Sequence, residues 1–402
     1  MNIAIIGGGA AGFFAAITCA EANSACRVTI FERGKSVLEK VRVSGGGRCN
    51  ATHKCYDPRE LVKYYPRGSR ELLGPLMQFG PEQTVAWFEQ RGVQLKTEAD
   101  GRMFPITDDS QTIVDCLSRA AQQAGVRVLT STRVDKIASE PGKPIARWRI
   151  GSEIFDKIML ATGSSTTAWE WLQELGHAIV APVPSLFTFN TKDTRLRDLA
   201  GVSVPMASLR IPGTKLSAEG PLLVTHWGLS GPAVLRISAW GARDLHEAGY
   251  KFSLEVNFLS EKKPQMAAAF LSQIKLESGK KLVMANTQMN LPTRLWQRLV
   301  EASGIAPERR WADVGKLELQ ALTAQITAAE FQITGKSTFK EEFVTAGGVS
   351  LKEVNFKTFE SKICPGLFLA GEVLDIDAIT GGFNFQAAWT GGWLAGRAMA
   401  NG

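Results

Sequence analysis

Histidine is scarce in this chain, with four residues among 402. Cysteine is scarce too: six residues, at 19, 26, 49, 55, 116 and 364, with no C-x-x-C pair and no Cys/His spacing of a zinc site. The pattern excludes a disulfide framework and a metal centre, and it makes a reducing, cytoplasmic compartment the expectation. No Lys/Arg-rich run of 5–8 residues occurs, although 46 Lys+Arg stand against 39 Asp+Glu, a net charge of +7. The excess is spread along the chain, which sets nucleic acid aside as the expected partner. Long apolar runs are absent as well. Residues 2–20 are uncharged, but they hold four clustered glycines and have no basic residue ahead of them. Residues 378–396 hold five glycines with Asn384 and Gln386, a poor match to a span of about 20 mostly apolar residues. Neither stretch reads as a membrane element. The sequence leaves the oligomeric state open.

What is present is the composition of a globular protein, 45% hydrophobic and 21% charged, with a length that predicts two or three domains. The opening NIAIIGGGAAGFFAAITCAEA is an apolar run, a glycine turn and an alanine-rich helix, and RVTIFERG (27–34) is a second strand. Helical spacing follows over 59–92, broken near 66–68 and 80–81, and again over 110–125. VRVLTSTRVDKI and RWRIGSEIFDKIMLATG supply further strands, so the beginning of the chain predicts a layered α/β domain. From residue 182 the texture changes to short alternating runs, SLFTFN, MASLRI, PLLVTHWG and KFSLEVNFL, which predict an all-β insert. Residues 261–329 read mainly as helix, and section 261–316 is the most basic block, with ten Lys/Arg against five Asp/Glu. EFQITG returns the chain to the insert, and GLFLAGE (366–372) is again a buried strand ahead of a closing helix. The α/β core is therefore expected to be built from both ends of the chain.

Gly7, Gly9 and Gly12 form G-x-G-x-x-G between the first strand and the first helix. The first glycine permits a tight turn, the second lets a pyrophosphate approach the backbone, and the third lets helix and strand pack closely. The N–H groups of Ala10 and Ala11, at the helix start, are then available to phosphate oxygens. Twenty residues beyond Gly12 lies Glu32, placed to accept ribose hydroxyls, with Arg33 beside it. A bound dinucleotide follows from these residues together.

Three further stretches resemble flavoproteins of the glutathione-reductase-like fold. LATG (160–163) matches their strand-end motif, placing Ala161, Thr162 and Gly163 at the cofactor. GLFLAGEVLD (366–375) resembles their last strand, with Gly371 and then Glu372 where an acid, usually Asp, contacts the ribityl chain. TGGFNFQ (380–386) opens the closing helix, whose N-terminus at Gly381, Gly382, Asn384 and Phe385 would stabilise charge on the flavin pyrimidine edge. The resemblance implies non-covalent FAD, with NAD(P)H as a transient co-substrate. Val134, in the run after residue 126, joins the expected contacts.

The match narrows to the YhiN/BaiN-like flavoproteins, also described as aminoacetone-oxidase-like. Its marks are VSGGGRCNAT (43–52), GRMFP (101–105), LFTFN (186–190), THWGLSGPAVL (225–235), TAGGVSL (345–351), FESK (359–362) and AGEVLDIDAITGGFNFQAAW (370–389). What it implies is a Rossmann-like three-layer FAD-binding domain (1–184 and 339–402), a β-barrel-like insert (185–259 and 330–338) and a small helical domain (260–329). The loop SGGGRCN would bring Ser44, Gly46, Gly47, Arg48, Cys49 and Asn50 to the pyrophosphate and isoalloxazine, Arg48 adding charge. One departure stands out. After LATG the family continues with a glycine- and proline-bearing segment containing Ser-Thr-Gly, whereas this chain runs SSTTAWEWLQELGH, with two tryptophans.

The chemistry-bearing residues offer several readings. Cys49 and Cys55 lack the spacing of a redox pair, since flavin disulfide reductases separate theirs by four residues and CNATHKC has five. Ser230 lies in G-x-S-G rather than the hydrolase G-x-S-x-G. His226, inside the longest motif of the insert and beside Trp227, is the candidate acid/base, with His53 weaker. Asp375 and Asp377 precede the last glycine turn, where carboxylates bind a cationic amine, act as a base or cap the helix, and Asp375 is the second catalytic candidate. The expected activity is FAD-dependent hydride transfer between flavin N5 and a small organic substrate. The alternatives are a flavoprotein that modifies RNA, of the tRNA-modification type, and a non-enzymatic FAD-binding redox sensor.

Overall fold

The computed structural model describes residues 1–140, 147–260, 263–285, 289–337 and 344–401. The expected boundary between 338 and 339 lies outside the described residues. The chain divides into two compact units, Met1–Val183 with Val344–Gly402, and Pro184–Phe343. No described helix is long and apolar enough to cross a membrane.

In the first unit the apolar run Asn2–Ile6 is the middle one of five parallel strands within a seven-stranded sheet. It pairs in parallel with Arg27–Phe31 on one side and Lys157–Leu160 on the other. Arg127–Leu129 and Leu367–Leu369 extend the parallel core outward. Two short antiparallel strands, Val354–Asn355 and Glu360–Ser361, finish one edge. The strand from the far C-terminal region thus sits beside one formed some 210 residues earlier, Ile158 opposite Leu367. Register aligns Ile6 with both Phe31 and Leu160, Phe31 with Leu129, and Leu160 with Leu369. The residues after these ends, Gly7, Glu32, Ala161 and Ala370, therefore emerge along one carboxyl edge.

The helix Ala10–Ala22 is buried from Ala11 to Ala20, because it packs on both the sheet and the closing helix Phe383–Ala400. Small residues permit that double contact. A Cβ on Gly392 would stand 2.6 Å from Ala11 O, and one on Gly396 2.6 Å from Ala15 O. The two helices meet backbone to backbone, and a methyl group at either glycine would push them apart.

The second unit is built on a seven-stranded antiparallel sheet. Its two edge strands, Ala329–Ile333 and Gly335–Ser337, are joined by a single residue, Thr334. Six strand gaps of about 4.8 Å would put the edges of a flat sheet about 29 Å apart. A link of two residue steps spans at most about 7 Å. The sheet must curl until its edges meet at that corner, which makes it barrel-like. The helices Pro264–Glu277, Thr293–Ala302 and Lys316–Thr327 bury Leu271, Trp296 and Ile326 in the same apolar cluster as Phe189, Leu254 and Phe331 of the strands. Strands and helices of this unit share one core.

Candidate functional site

The glycine turn lies at the carboxyl edge where strand order reverses, with the second strand to one side of the first and Lys157–Leu160 to the other, which is where open α/β sheets bind ligands. Gly7 has φ +110°, and a Cβ there would collide with Ala161 O; a Cβ on Gly12 would collide with Gly7 O. A Cβ on Gly9, by contrast, would meet nothing within 4 Å. Two glycines are thus required by the protein itself and the third keeps a space clear. The helix that follows has no side-chain cap and no acidic residue in its first turn, so the N–H groups at Ala10, Ala11 and Gly12 are left without a side-chain partner.

Glu32 closes the next strand. Gly8 N–H donates to its Oε2 at 2.9 Å, and Gly34 N–H donates to its Oε1 at 2.6 Å. The carboxylate pins both turns and keeps lone pairs for further donors. Arg33 beside it is exposed. A cavity opens here, lined by Gly7, Glu32, Arg33, Val134, Thr162 and Trp171. Thr162 Oγ1 is buried with no hydrogen-bond partner, so a polar atom waits in the wall. Next to it, Glu372 Oε2 lies 3.6 Å from the Cβ position of Gly163, and a Cβ on Gly371 would lie 3.4 Å from Ala11 Cβ. Residues far apart in sequence, 10–12, 161–163 and 371–372, therefore converge. Glu372 is ion-paired with Lys40, a partner no spacing had indicated.

SGGGRCN meets the closing helix. Residues 45, 46 and 47 all have positive φ, and a Cβ on Gly46 or Gly47 would meet nothing within 4 Å. Ser44 Oγ–H donates to Val41 O at 2.9 Å, and Cys49 N–H donates to Ser44 O at 3.0 Å. With its amide N–H donating to Thr52 O at 3.0 Å, Asn50 accepts Gly382 N–H at 2.9 Å. Trp389 Nε1–H donates to Ala51 O at 2.9 Å, Tyr65 O–H donates to Phe383 O at 2.7 Å, and Gln386 Oε1 accepts from Thr52 and Thr84 hydroxyls at 2.6 and 3.0 Å. Asn384 folds back on the preceding turn, accepting Ala378 N–H at 2.9 Å, and Phe385 stacks on Trp389. The loop and the helix N-terminus form one braced surface with its glycine side open.

Other expected residues are placed differently. Cys49 is fully buried, and burial pushes its thiol up to about 12, so it carries almost no thiolate at neutral pH. Arg48 differs from expectation: its guanidinium pairs with Glu98 at 2.7 Å and Asp108 at 3.2 Å and lies 4.0 Å over the Phe104 ring. Its charge is engaged by acids 50 and 60 residues away rather than left for a phosphate. Asp377 is fully buried in a forked ion pair with Arg67, and Asp375 is 8% exposed, its N–H donating to Val349 O at 3.1 Å. His226 and Trp227 are exposed between the strands Ser217–Val224 and Gly228–Ser230 of the second unit. His53 packs against Phe383 and Tyr64, which stack on each other, and burial lowers its pKa. Sequence reasoning passed over a buried row in which His177 Nδ1 stands 2.9 Å from Glu353 and its Nε2 3.0 Å from Ser361 Oγ. Ser361 Oγ also accepts the N–H groups of Ile363 and Cys364 at 3.0 and 2.8 Å and is 5% exposed. Such a hydroxyl fastens chain segments and offers no nucleophile.

The clash-forced glycine turn, the open Gly9, the acid at the second strand and the orphaned Thr162 hydroxyl fit a dinucleotide, and with the braced glycine loop at the closing helix they define a Rossmann-type FAD-dependent oxidoreductase. Within that class the chain belongs to a single family: residues 1–398 match the HI0933-like protein Rossmann domain. It is 30% identical over 416 residues to the 3-dehydro-bile acid delta(4,6)-reductase of Clostridium scindens, covering 99% of each chain. It is 28% identical over 401 residues to the ribosomal RNA dihydrouridine synthase of Haemophilus influenzae, covering 96% of this chain and 95% of that one. The Escherichia coli protein of the same name is 28% identical over 404 residues, with 97% and 95% covered.

Proposed function

We propose that this protein reduces a carbon–carbon double bond conjugated to a carbonyl in a small organic substrate. The observation that carries the reading is that two relatives with unlike substrates are named for one bond change. A delta(4,6)-reductase acting on a 3-dehydro-bile acid saturates an alkene in conjugation with a ketone, and a dihydrouridine synthase saturates the ring alkene conjugated to a uracil carbonyl. Bound FAD, once reduced, would supply the hydride to the β carbon and return to its oxidised form, and a proton would reach the α carbon.

This chain's residues would divide the remaining work. The glycine turn, Glu32 and Thr162 would hold the adenosine and pyrophosphate. The loop at Gly46–Gly47 and the helix start at Gly382 would present backbone N–H groups and a positive dipole end to the flavin pyrimidine edge. Asp375, a carboxyl group 8% exposed ahead of the last glycine turn, is the preferred proton donor; His226 is the second candidate. NADH or NADPH would return the flavin to its reduced form.

The test is anaerobic. The flavin is reduced with NADH, NADPH or dithionite, then mixed with conjugated enones, with their saturated counterparts and with unmodified ribosomal RNA. Reoxidation by enones alone is the expected outcome. A flavin that only oxygen reoxidises would sink the proposal. Reoxidation by ribosomal RNA, falling steeply with salt, would favour a second reading in which the bond change is the same and the substrate is a uridine. The basic block at 261–316 is the observation that speaks for it.

A further inference from the structure

The helix Thr166–Glu174 carries two tryptophans with different surroundings. Trp169 is 5% exposed, and its Nε1–H donates to Val373 O at 2.9 Å, which fixes the helix against the C-terminal part of the same unit. Trp171 lies two residues on, about 200° around the helix. It is half-buried and lines the cavity that contains Glu32, Thr132 and Val134. Thr167, one turn earlier and on the same face, lines it as well. Trp87, Trp296, Trp389 and Trp393 each pack on another aromatic ring, whereas among the described residues none packs on Trp171. Its indole is therefore a partly exposed wall of a cavity rather than a filler of the core.

The rest of the lining says what such a wall is for. Glu32 spends one lone pair of each oxygen on a backbone N–H and has others left, which suits the two hydroxyls of a ribose. Val134 adds an apolar branch, and the adjoining Thr162 hydroxyl lacks a partner. A flat heteroaromatic ring attached to a diol satisfies this set, since a purine offers its face to an indole whatever its hydrogen-bonding edge does. The flavin ring has its own candidate surface at the glycine loop and closing helix.

We propose that Trp171 is the stacking wall for the adenine ring of FAD, and that it makes this chain's hold on the adenosine half stronger than the glycine turn alone would give. The proposal rests on the FAD reading above. It accounts for the departure of the segment after Gly163 from its family: where glycine and proline are usual, this chain forms a helix that presents an aromatic side chain.

The experiment uses the full chain stripped of flavin. FAD, ADP and FMN are titrated into wild type, Trp171→Leu and Trp171→Phe by calorimetry, with indole emission followed in parallel. Stacking on one base implies that the leucine variant binds FAD and ADP about tenfold more weakly, with FMN unchanged and the phenylalanine variant close to wild type. ADP should quench indole emission in wild type and not in Trp171→Phe, a readout that does not need the leucine variant to fold. Equal ADP affinity in all three proteins, or a quench that survives in Trp171→Phe, overturns the proposal. Wild type that binds ADP but neither FAD nor FMN refutes the flavin reading instead and leaves the stacking result to stand on ADP.

Discussion

Glu32 Oε2 accepts the N–H of Gly8 at 2.9 Å across the first glycine turn, while the other oxygen of the same carboxylate accepts Gly34 N–H. One side chain therefore shapes the first glycine turn before any ligand arrives, and in the proposed reading it would meet the ribose as well. Hydrogen bonds to a charged group are worth about 1.5–3 kcal/mol each. Glu32→Ala is expected to lower the melting temperature of the flavin-free protein and to weaken FAD by at least about tenfold. Differential scanning calorimetry of flavin-free wild type and variant checks the first effect. An unchanged melting temperature would show that the clip contributes nothing to the turn.

Gly9 and Gly12 separate two requirements that a glycine motif confounds. A Cβ on Gly12 collides with Gly7 O, so Gly12→Ala should disturb the fold itself. A Cβ on Gly9 meets nothing within 4 Å, and its φ of −94° is open to any residue. Gly9→Ala should lower the flavin-free melting temperature far less than Gly12→Ala, by no more than the cost of alanine in place of glycine at a helix N-cap. It should still purify with less flavin, because the methyl group would fill the space that the proposed reading gives to the pyrophosphate. Full flavin content in Gly9→Ala would remove the pyrophosphate from this turn.

Cys49 is the one thiol inside the glycine loop, and its burial silences it. With the thiol pushed up to about 12, its thiolate fraction at pH 8 is on the order of 10⁻⁴. Native protein treated with an aromatic disulfide reagent should be labelled at Cys55 and Cys364, the two cysteines that are only half-buried, and spared at Cys49. Peptide mass mapping reads the result. Rapid labelling of Cys49 would reopen a thiol role beside the flavin.

Legibility followed the range of the interactions. The strand, turn and helix over residues 2–22 and the strand Arg27–Phe31 were readable because an apolar run, a glycine turn and helical spacing are all local in sequence. The β texture of the insert was readable too, and so was the return of EFQITG, which pairs with Phe252–Asn257. Partners brought together by the fold were not. Arg48 reads as a free cation beside a glycine run until Glu98 and Asp108 arrive from two turns about 50 and 60 residues on. Asp377 reads as a base until Arg67, 310 residues away in sequence, takes both its oxygens. Trp171 had one signal, its place in a segment that departs from the family, and only the fold showed that this segment runs past Glu32 and Val134.

His53 makes the protein's acid stability a local question. Its Nε2 lies 3.1 Å from Asp100 O, its Nδ1 is buried with no partner, and its ring lies 4.7 Å from the Phe383 ring at the start of the closing helix. Protonation would place an N–H at Nδ1 with no acceptor, and burial accordingly lowers the pKa below the ordinary histidine value of about 6.5. A base whose folded pKa is depressed binds fewer protons folded than unfolded between the two values, so stability rises with pH there. His53 therefore costs nothing above about pH 6.5, and stability is lost as pH falls from there through its folded pKa. Thermal melts of wild type and His53→Phe between about pH 7.5 and 5 should run parallel at the upper end. Below about pH 6.5 wild type should fall faster, because phenylalanine keeps the ring contact with Phe383 and cannot be protonated. Parallel curves throughout would mean that His53 titrates as it does in an unfolded chain, and that the unpartnered Nδ1 finds an acceptor on protonation.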